Sequence, residues 1–461
     1  MFDGYIRDHA RWTPRAPAVL TAQRTWSYAE FDADVDRCGA ALAALGLPVG
    51  GVVAVDVADA GLQLLLIAAL ARLGVASSPA ADPAADLRLT DDVLGPAWRQ
   101  AMAAAEPRPL PTLSLDPLAL GRVMLSSGAT GPPKRVGYTW RRLEHGAHLS
   151  LRGYCAGQTG AHVPLVGLDA MTGLTMAMCA WAVGAPVTET FAPAALPPWL
   201  EALPPGVVAM TPMHLQRLLA ALPDGFEPRP GWRLVVGGAA LPAGLAREAR
   251  LRITPDVRTL YGSTEGGDGA LGYAAGLDDA PGQVGITPSG AVVAIVGEDG
   301  RPLPDGQSGE IRIRGERVIP GYLGDPGATA ERFQDGWFLT RDVGRRLPDG
   351  RLVLEGRLDE RMILDGAKFM PGVLEAAALA CPGVVDCAAF AVPDADGLDR
   401  CWLAVAAQAG FDRDRLANHL AACPDLPPRR FAWIEAIPRD AMGRVERTVL
   451  RDAVLAATRP A

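Results

Sequence analysis

The sequence predicts an α/β protein in two parts. Residues 1–358 read as a large N-terminal domain of mostly parallel sheets with helices and a small β-barrel-like region, and 359–461 as a small mobile α+β domain. Three observations carry this. The chain has 461 residues, enough for roughly three units of about 150 residues. Helix-like and strand-like stretches alternate over the first half. From 282 the texture changes to short strands with Asp-Gly turns, before the alternation resumes at 359.

Residues 28–45 place apolar side chains at helical spacing and stop at Gly46. Residues 51–57 read as a buried strand, and 62–73 as a helix closed by Gly74. Such alternation favours a parallel sheet covered by helices, and it returns at 207–210 and 234–236. The longest apolar stretch, 161–187, is interrupted by Pro164, Asp169, Gly173 and Gly184. A membrane span needs about 20 uninterrupted apolar residues, so a core strand plus buried helix is expected and no span. Beyond 282, the runs 292–296, 310–314 and 351–354 are strands among Asp299-Gly300, Asp305-Gly306 and Asp349-Gly350, which is hairpin chemistry. No long linker precedes 359, so the joint is expected to be a short hinge.

Composition narrows the function. The chain carries 52 acidic and 44 basic residues, a net charge of −8, which argues against nucleic acid or an anionic membrane as main partner. Its 52 glycines and 40 prolines are scattered, excluding collagen-like and low-complexity readings. Only Lys134 and Lys368 are lysine; every other basic residue is arginine. A chain so biased keeps lysine where something prevents replacement, or by chance. The seven cysteines are odd in number, lack a CxxC and sit among apolar neighbours, as reduced thiols of a cytoplasmic protein would. The six histidines show no HExxH, so no zinc site is expected, and the N-terminus has no basic region before an apolar run, so no signal peptide.

The strongest motif is Val123-Met124-Leu125-Ser126-Ser127-Gly128-Ala129-Thr130-Gly131-Pro132-Pro133-Lys134. An apolar strand enters a loop of hydroxyls and glycines that ends in a lysine. Phosphate oxygens need many donors at once: glycines let backbone N–H groups approach, hydroxyls add donors, and lysine adds a charge. A Walker A loop would put glycine before the lysine and Ser or Thr after it; here Pro133 and Arg135 flank it.

This loop resembles the phosphate loop of the adenylate-forming (AMP-binding) superfamily of acyl- and aryl-CoA synthetases, nonribosomal peptide adenylation domains and luciferases. Ala129 replaces a threonine and Arg135 a glycine of that pattern. Further matches follow in family order. Val235-Val236-Gly237-Gly238-Ala239 resembles the strand and turn against which adenine packs. Leu260-Tyr261-Gly262-Ser263-Thr264-Glu265 resembles Tyr-Gly-x-Thr-Glu, which implies Tyr261 on the base, Thr264 at the α-phosphate and Glu265 holding Mg²⁺. Gly336-Trp337-Phe338-Leu339-Thr340-Arg341-Asp342 resembles Gly-Trp-x-x-Thr-Gly-Asp, with Asp342 on the ribose hydroxyls and Arg341 in place of glycine. Gly356-Arg357-Leu358-Asp359, Gly366-Ala367-Lys368 and Glu375 resemble the hinge, at Asp359, and the opening of the C-terminal domain.

The resemblance implies activation of a carboxylic acid by MgATP as an acyl-adenylate with loss of pyrophosphate. Transfer to a thiol would follow, that of coenzyme A or of carrier-protein phosphopantetheine. The last motif, Pro438 to Arg447, carries Arg444 where the family has its catalytic lysine. Arginine keeps the charge but needs different geometry. Arg444 doing the lysine's work, slow or altered adenylation, and loss of the step all stay open. Lys368 stands where arginine is usual and is either chemical or an ordinary exposed lysine.

For the acyl pocket, 164–174 corresponds to the family's Pro-Leu-x-His-x-x-Gly segment, with Ala170 at the common gate position and Gly173 retained. Small residues at Ala239, Gly266 and Gly267, with Gly237 and Met171 placed in the same pocket, imply room for an apolar acyl or aryl acid. Asp169 supports a competing reading as an amino-acid-adenylating enzyme, where an aspartate holds the ammonium. A nucleotide-binding relative impaired in adenylation is the third reading.

Overall fold

The computed structural model describes all residues except 1, 49, 108, 111–115, 127–132, 365–366, 395–397, 424–425, 440–444 and 459–461. Two sheets organise the N-terminal part. One has five strands in the order Leu87–Thr90, Val52–Asp56, Ala76–Pro79, Leu120–Ser126 and Lys134–Thr139, parallel except for its last pair. The other has eight, with His162–Pro164, Val207–Met210, Arg233–Gly237 and Val257–Ser263 parallel at its centre and Gly267–Tyr273 returning antiparallel.

The helices Ala60–Arg72 and Met171–Ala182 are buried nearly all round, which is why both read as apolar runs rather than amphipathic stripes. With Phe2–Trp12 and Tyr28–Ala43 they contribute Phe2, Phe31, Leu66 and Trp181 to one continuous core. Arg72, 0% exposed, is accepted there because Asp32 and Asp36 receive its guanidinium at 2.6 and 2.9 Å. Among the described residues no helix is long and apolar enough to cross a membrane.

The hairpin-rich region is an antiparallel sheet in the order Gln283–Gly285, Leu352–Arg357, Trp337–Arg346, Gly309–Gly315 and Ala291–Val296. Gly300, Gly306 and Gly350 all have φ between 75° and 87°, the left-handed geometry that Asp-Gly turns need. Beyond it, the hairpin Met362–Leu364 and Ala367–Phe369, the sheet Val384–Pro393, Asp399–Ala407 and Arg429–Trp433, and the helices Pro371–Leu379, Arg413–Ala421 and Arg447–Thr458 surround two small cores. Neither core draws a buried residue from before Met362. Six cysteines are buried and Cys423 half-buried, all of them free.

Candidate active site

Ser126 ends a buried strand directly opposite Lys134, which begins the next. Ser127, Gly128, Thr130 and Gly131, which connect them, lie outside the described residues, as do Gly366 and Arg444. Past the connection, successive side chains leave on opposite faces of the strand. Lys134 Nζ pairs with Asp325 Oδ2 at 2.5 Å, and that bond holds the Asp325 carboxyl below the usual carboxylate range. Arg135 turns the other way to Asp82, whose side chain is 0% exposed, at 2.9 Å through Nε and 3.1 Å through Nη2.

Thr264, Glu265 and Gly266 form a tight turn, because Ser263 pairs with Gly267 across the hairpin and Gly267 takes φ 69°. A side chain at Gly262 would meet the Gly267 carbonyl at 2.5 Å, so this approach requires glycine. The turn is gripped from both sides. The Tyr138 hydroxyl donates to the Thr264 carbonyl, the Ile319 N–H to the Glu265 carbonyl at 3.0 Å, and the Tyr322 hydroxyl to Glu265 Oε1 at 3.0 Å. Glu265 is buried, and its Oε2 accepts no hydrogen bond among the described residues. The described residues contain no cluster of three or more ligating side chains. Mg²⁺ in triphosphate sites needs only one or two carboxylates beside the phosphates, so Glu265 fits the ion expected there.

Three residues before Thr264, on the strand Val257–Ser263, Tyr261 donates to Asp342 Oδ2 at 2.8 Å. Arg357 Nη1 reaches Asp342 Oδ1 at 3.3 Å, and its Nε reaches Asp359 Oδ1 at 3.2 Å. The Tyr261 ring is packed against Ala270, Val293, Ile311 and Ile313, and burial, reinforced by Asp342, holds its phenol well above its ordinary value. Only 8% of Tyr261 is exposed, which leaves little open face for the stacking expected of it; what it visibly does is hold Asp342. Arg341 has φ 62°. This left-handed residue explains the glycine of the resembling motif, and the strand Trp337–Arg346 accommodates arginine there. Gly238, at φ 87°, follows the strand Arg233–Gly237 and leads to half-buried Ala239.

The expected acyl-pocket residues divide. A cavity bounded by Leu149, Leu260, Leu271, Arg314 and Arg317 takes Gly266 from that set and none of the others. Gly173 and Gly237 lack side chains for packing reasons: a Cβ would stand 1.9 Å from the Gly167 carbonyl oxygen in one and 2.7 Å from that of Leu260 in the other. Ala170 precedes the helix that Met171 begins. Exposed Asp169 pairs with Arg122 at 3.5 Å and accepts from Gln63 at 3.4 Å. Burial raises its carboxyl, Arg122 opposes this, and burial lowers the Arg122 guanidinium to about 10.

Lys368 is not brought to this group in the present arrangement. It lies half-exposed on the hairpin after the joint and pairs with Glu298, which also accepts from Arg361 at 3.1 Å. Glu375 instead receives Arg447 at 2.6 Å, inside the C-terminal part. The sequence reading missed Tyr138, Tyr322, Asp325 and Asp82. Asp325-Pro326 does carry the start signal of the helix Pro326–Arg332, whose cap Asp325 is; nothing local marks the tyrosines.

Residues 6–92 and 82–323 match the family described as AMP-binding enzyme. A sulfoacetate–CoA ligase of Cupriavidus necator is 32% identical over 358 residues, which cover 75% of this chain and 69% of that protein. A 2-succinylbenzoate–CoA ligase of Geobacillus kaustophilus is 25% identical over 487 residues, 97% of each chain. The crystal structure of ATP-bound MatB from Rhodopseudomonas palustris covers 100% of both chains with a TM-score of 0.83 at 24% identity, and so shares the fold.

Proposed function

The chain belongs to the AMP-binding enzyme family, and from that premise we propose that it is an AMP-forming acid–thiol ligase. It joins a carboxylic acid to the α-phosphate of ATP with loss of pyrophosphate, then passes the acyl group to a thiol, of coenzyme A or of a carrier protein's phosphopantetheine. One observation supports this above the rest. A chain of contacts runs from Lys134 through the 322–325 segment to Glu265, and along the same strand from Tyr261 to Asp342, Arg357 and Asp359. Segments far apart in sequence thus meet, as a triphosphate cradle beside a ribose acceptor would require.

In this reading Lys134 and the loop before it take the outer phosphates, the Thr264 hydroxyl the α-phosphate and Asp342 the ribose. Mg²⁺, held by Glu265, would offset phosphate charge. Such chemistry is mostly positioning and charge neutralisation, so the bonds that fix Glu265 and Asp342 matter as much as the groups themselves. Arg444 serves as the cation between acid and α-phosphate. Asp359 is the hinge for the second half-reaction, in which the Lys368–Glu298 and Arg361–Glu298 pairs would part. An amino-acid substrate has less support, because the Asp169 carboxylate already faces Arg122 and Gln63.

The test is ATP–pyrophosphate exchange with a panel of aliphatic, aromatic, dicarboxylic and amino acids. Acid-dependent exchange is expected, and its absence for every acid would reject the proposal. Arg444→Ala should abolish exchange while Lys368→Ala spares it and slows thiol transfer. Unchanged exchange in Arg444→Ala would remove arginine from the first step.

A further inference from the structure

No motif pointed to the loop 321–325, yet it touches both Lys134 and Glu265. Its backbone docks on the strand leaving the phosphate loop: the Leu323 N–H donates to the Arg135 carbonyl at 2.9 Å, and Tyr322 pairs with Val136. Asp325 holds Lys134, and the Thr329 hydroxyl accepts from the Tyr322 N–H at 2.9 Å. The Tyr322 ring stands edge-on to Phe333, with centroids 5.4 Å apart. A ring fixed at its backbone and at its edge has little freedom, and its hydroxyl ends 3.0 Å from Glu265 Oε1.

Resting on the ligase reading above, we infer that Tyr322 is a positioning residue for the metal carboxylate. By occupying Oε1, the phenol leaves Oε2 as the oxygen open to a divalent cation, and it fixes the rotation of the carboxyl group. Ordinarily a buried carboxylate with an open oxygen is costly, and a charge-assisted hydrogen bond is the kind that offsets this. Because 321–325 also carries the partner of Lys134, a single short segment sets both the lysine and the carboxylate. Phosphate-loop placement and metal placement are thereby tied together through Val136 and Tyr322.

Tyr322→Phe removes one hydroxyl and keeps the ring on Phe333, so the fold should persist, which a thermal melt checks. The decisive readout is ATP binding to the full chain by calorimetry, titrated with Mg²⁺ and repeated in EDTA. The phenylalanine variant should need roughly tenfold more Mg²⁺ for half-maximal ATP binding, the loss of one hydrogen bond to a charged group, while ATP affinity in EDTA stays within about twofold of wild type. In a Glu265→Gln background the same substitution should change nothing further, because Tyr322 acts through that carboxylate. An unchanged Mg²⁺ requirement, or an equal loss with and without Glu265, would overturn the inference while leaving the ligase reading intact. No ATP binding by the wild-type chain at all would overturn both.

Discussion

Replacing Arg135 with the glycine its resembling motif carries should damage this protein rather than normalise it. Asp82 is completely enclosed, and the Arg135 guanidinium, 2.9 and 3.1 Å from its two oxygens, is its cationic partner. Removing one member of a buried pair leaves an uncompensated charge, which costs about 3–5 kcal/mol. Arg135 keeps 21% exposure, so water would relieve part of this and the lower figure, about 3 kcal/mol, applies. Glycine inside a strand adds roughly 0.5–1 kcal/mol. For a chain of 461 residues that amounts to a fall in Tm of roughly 4 °C. Thermal melts followed by circular dichroism give the value. The diagnostic control is Arg135→Gly with Asp82→Asn, which removes the orphaned charge and should recover at least about 1.5 kcal/mol of the loss. A glycine variant within about 0.5 kcal/mol of wild type, or a double variant no better than the sum of the singles, would refute the reasoning.

Three other outcomes follow from the same coordinates. Arg341→Gly should raise stability by about 0.5 kcal/mol, because glycine takes φ 62° without strain, whereas Arg341→Ala should not; paired melts separate them. Tyr261→Phe removes the donor to Asp342, a bond of about 1.5 kcal/mol or more, so ATP affinity measured by calorimetry should fall about tenfold with little change in Tm. Hydrogen bonds from Lys134, Arg351 and Lys368 hold Asp325, Asp279 and Glu298 below the usual carboxylate range. Depressed folded-state values mean that this stabilisation is fully present above the unfolded value, about 4, and is lost as pH falls through the folded ones. Acid melts at low and at high salt should converge below that window and differ above it.

The sequence disclosed much of the fold because its buried elements announce themselves. The strand Val52–Asp56 and the helix Ala60–Arg72 are apolar throughout and end at turn residues, and the Asp-Gly pairs fall where the chain reverses. Motif order likewise pointed to Lys134, Glu265 and Asp342 before any coordinates did. Partners were another matter. Lys134 and Asp325 stand 191 residues apart, and Glu265 and Tyr322 57 apart. Periodicity reveals which face of an element is buried, not which distant side chain will meet it. Gly173 and Gly237 show the opposite failure. Their motif positions place them in the acyl pocket, whereas a neighbouring carbonyl already stands where each side chain would begin.

The position of bound nucleotide decides whether Glu265, Asp342 and Lys134 share one site. A crystal structure of the full chain with Mg²⁺ and a non-hydrolysable ATP analogue is the most direct measurement. It should show the ribose hydroxyls at Asp342, the metal at the open oxygen of Glu265 and the triphosphate beside Lys134. Nucleotide bound elsewhere on the molecule, with Glu265 and Asp342 left untouched, would contradict a shared site.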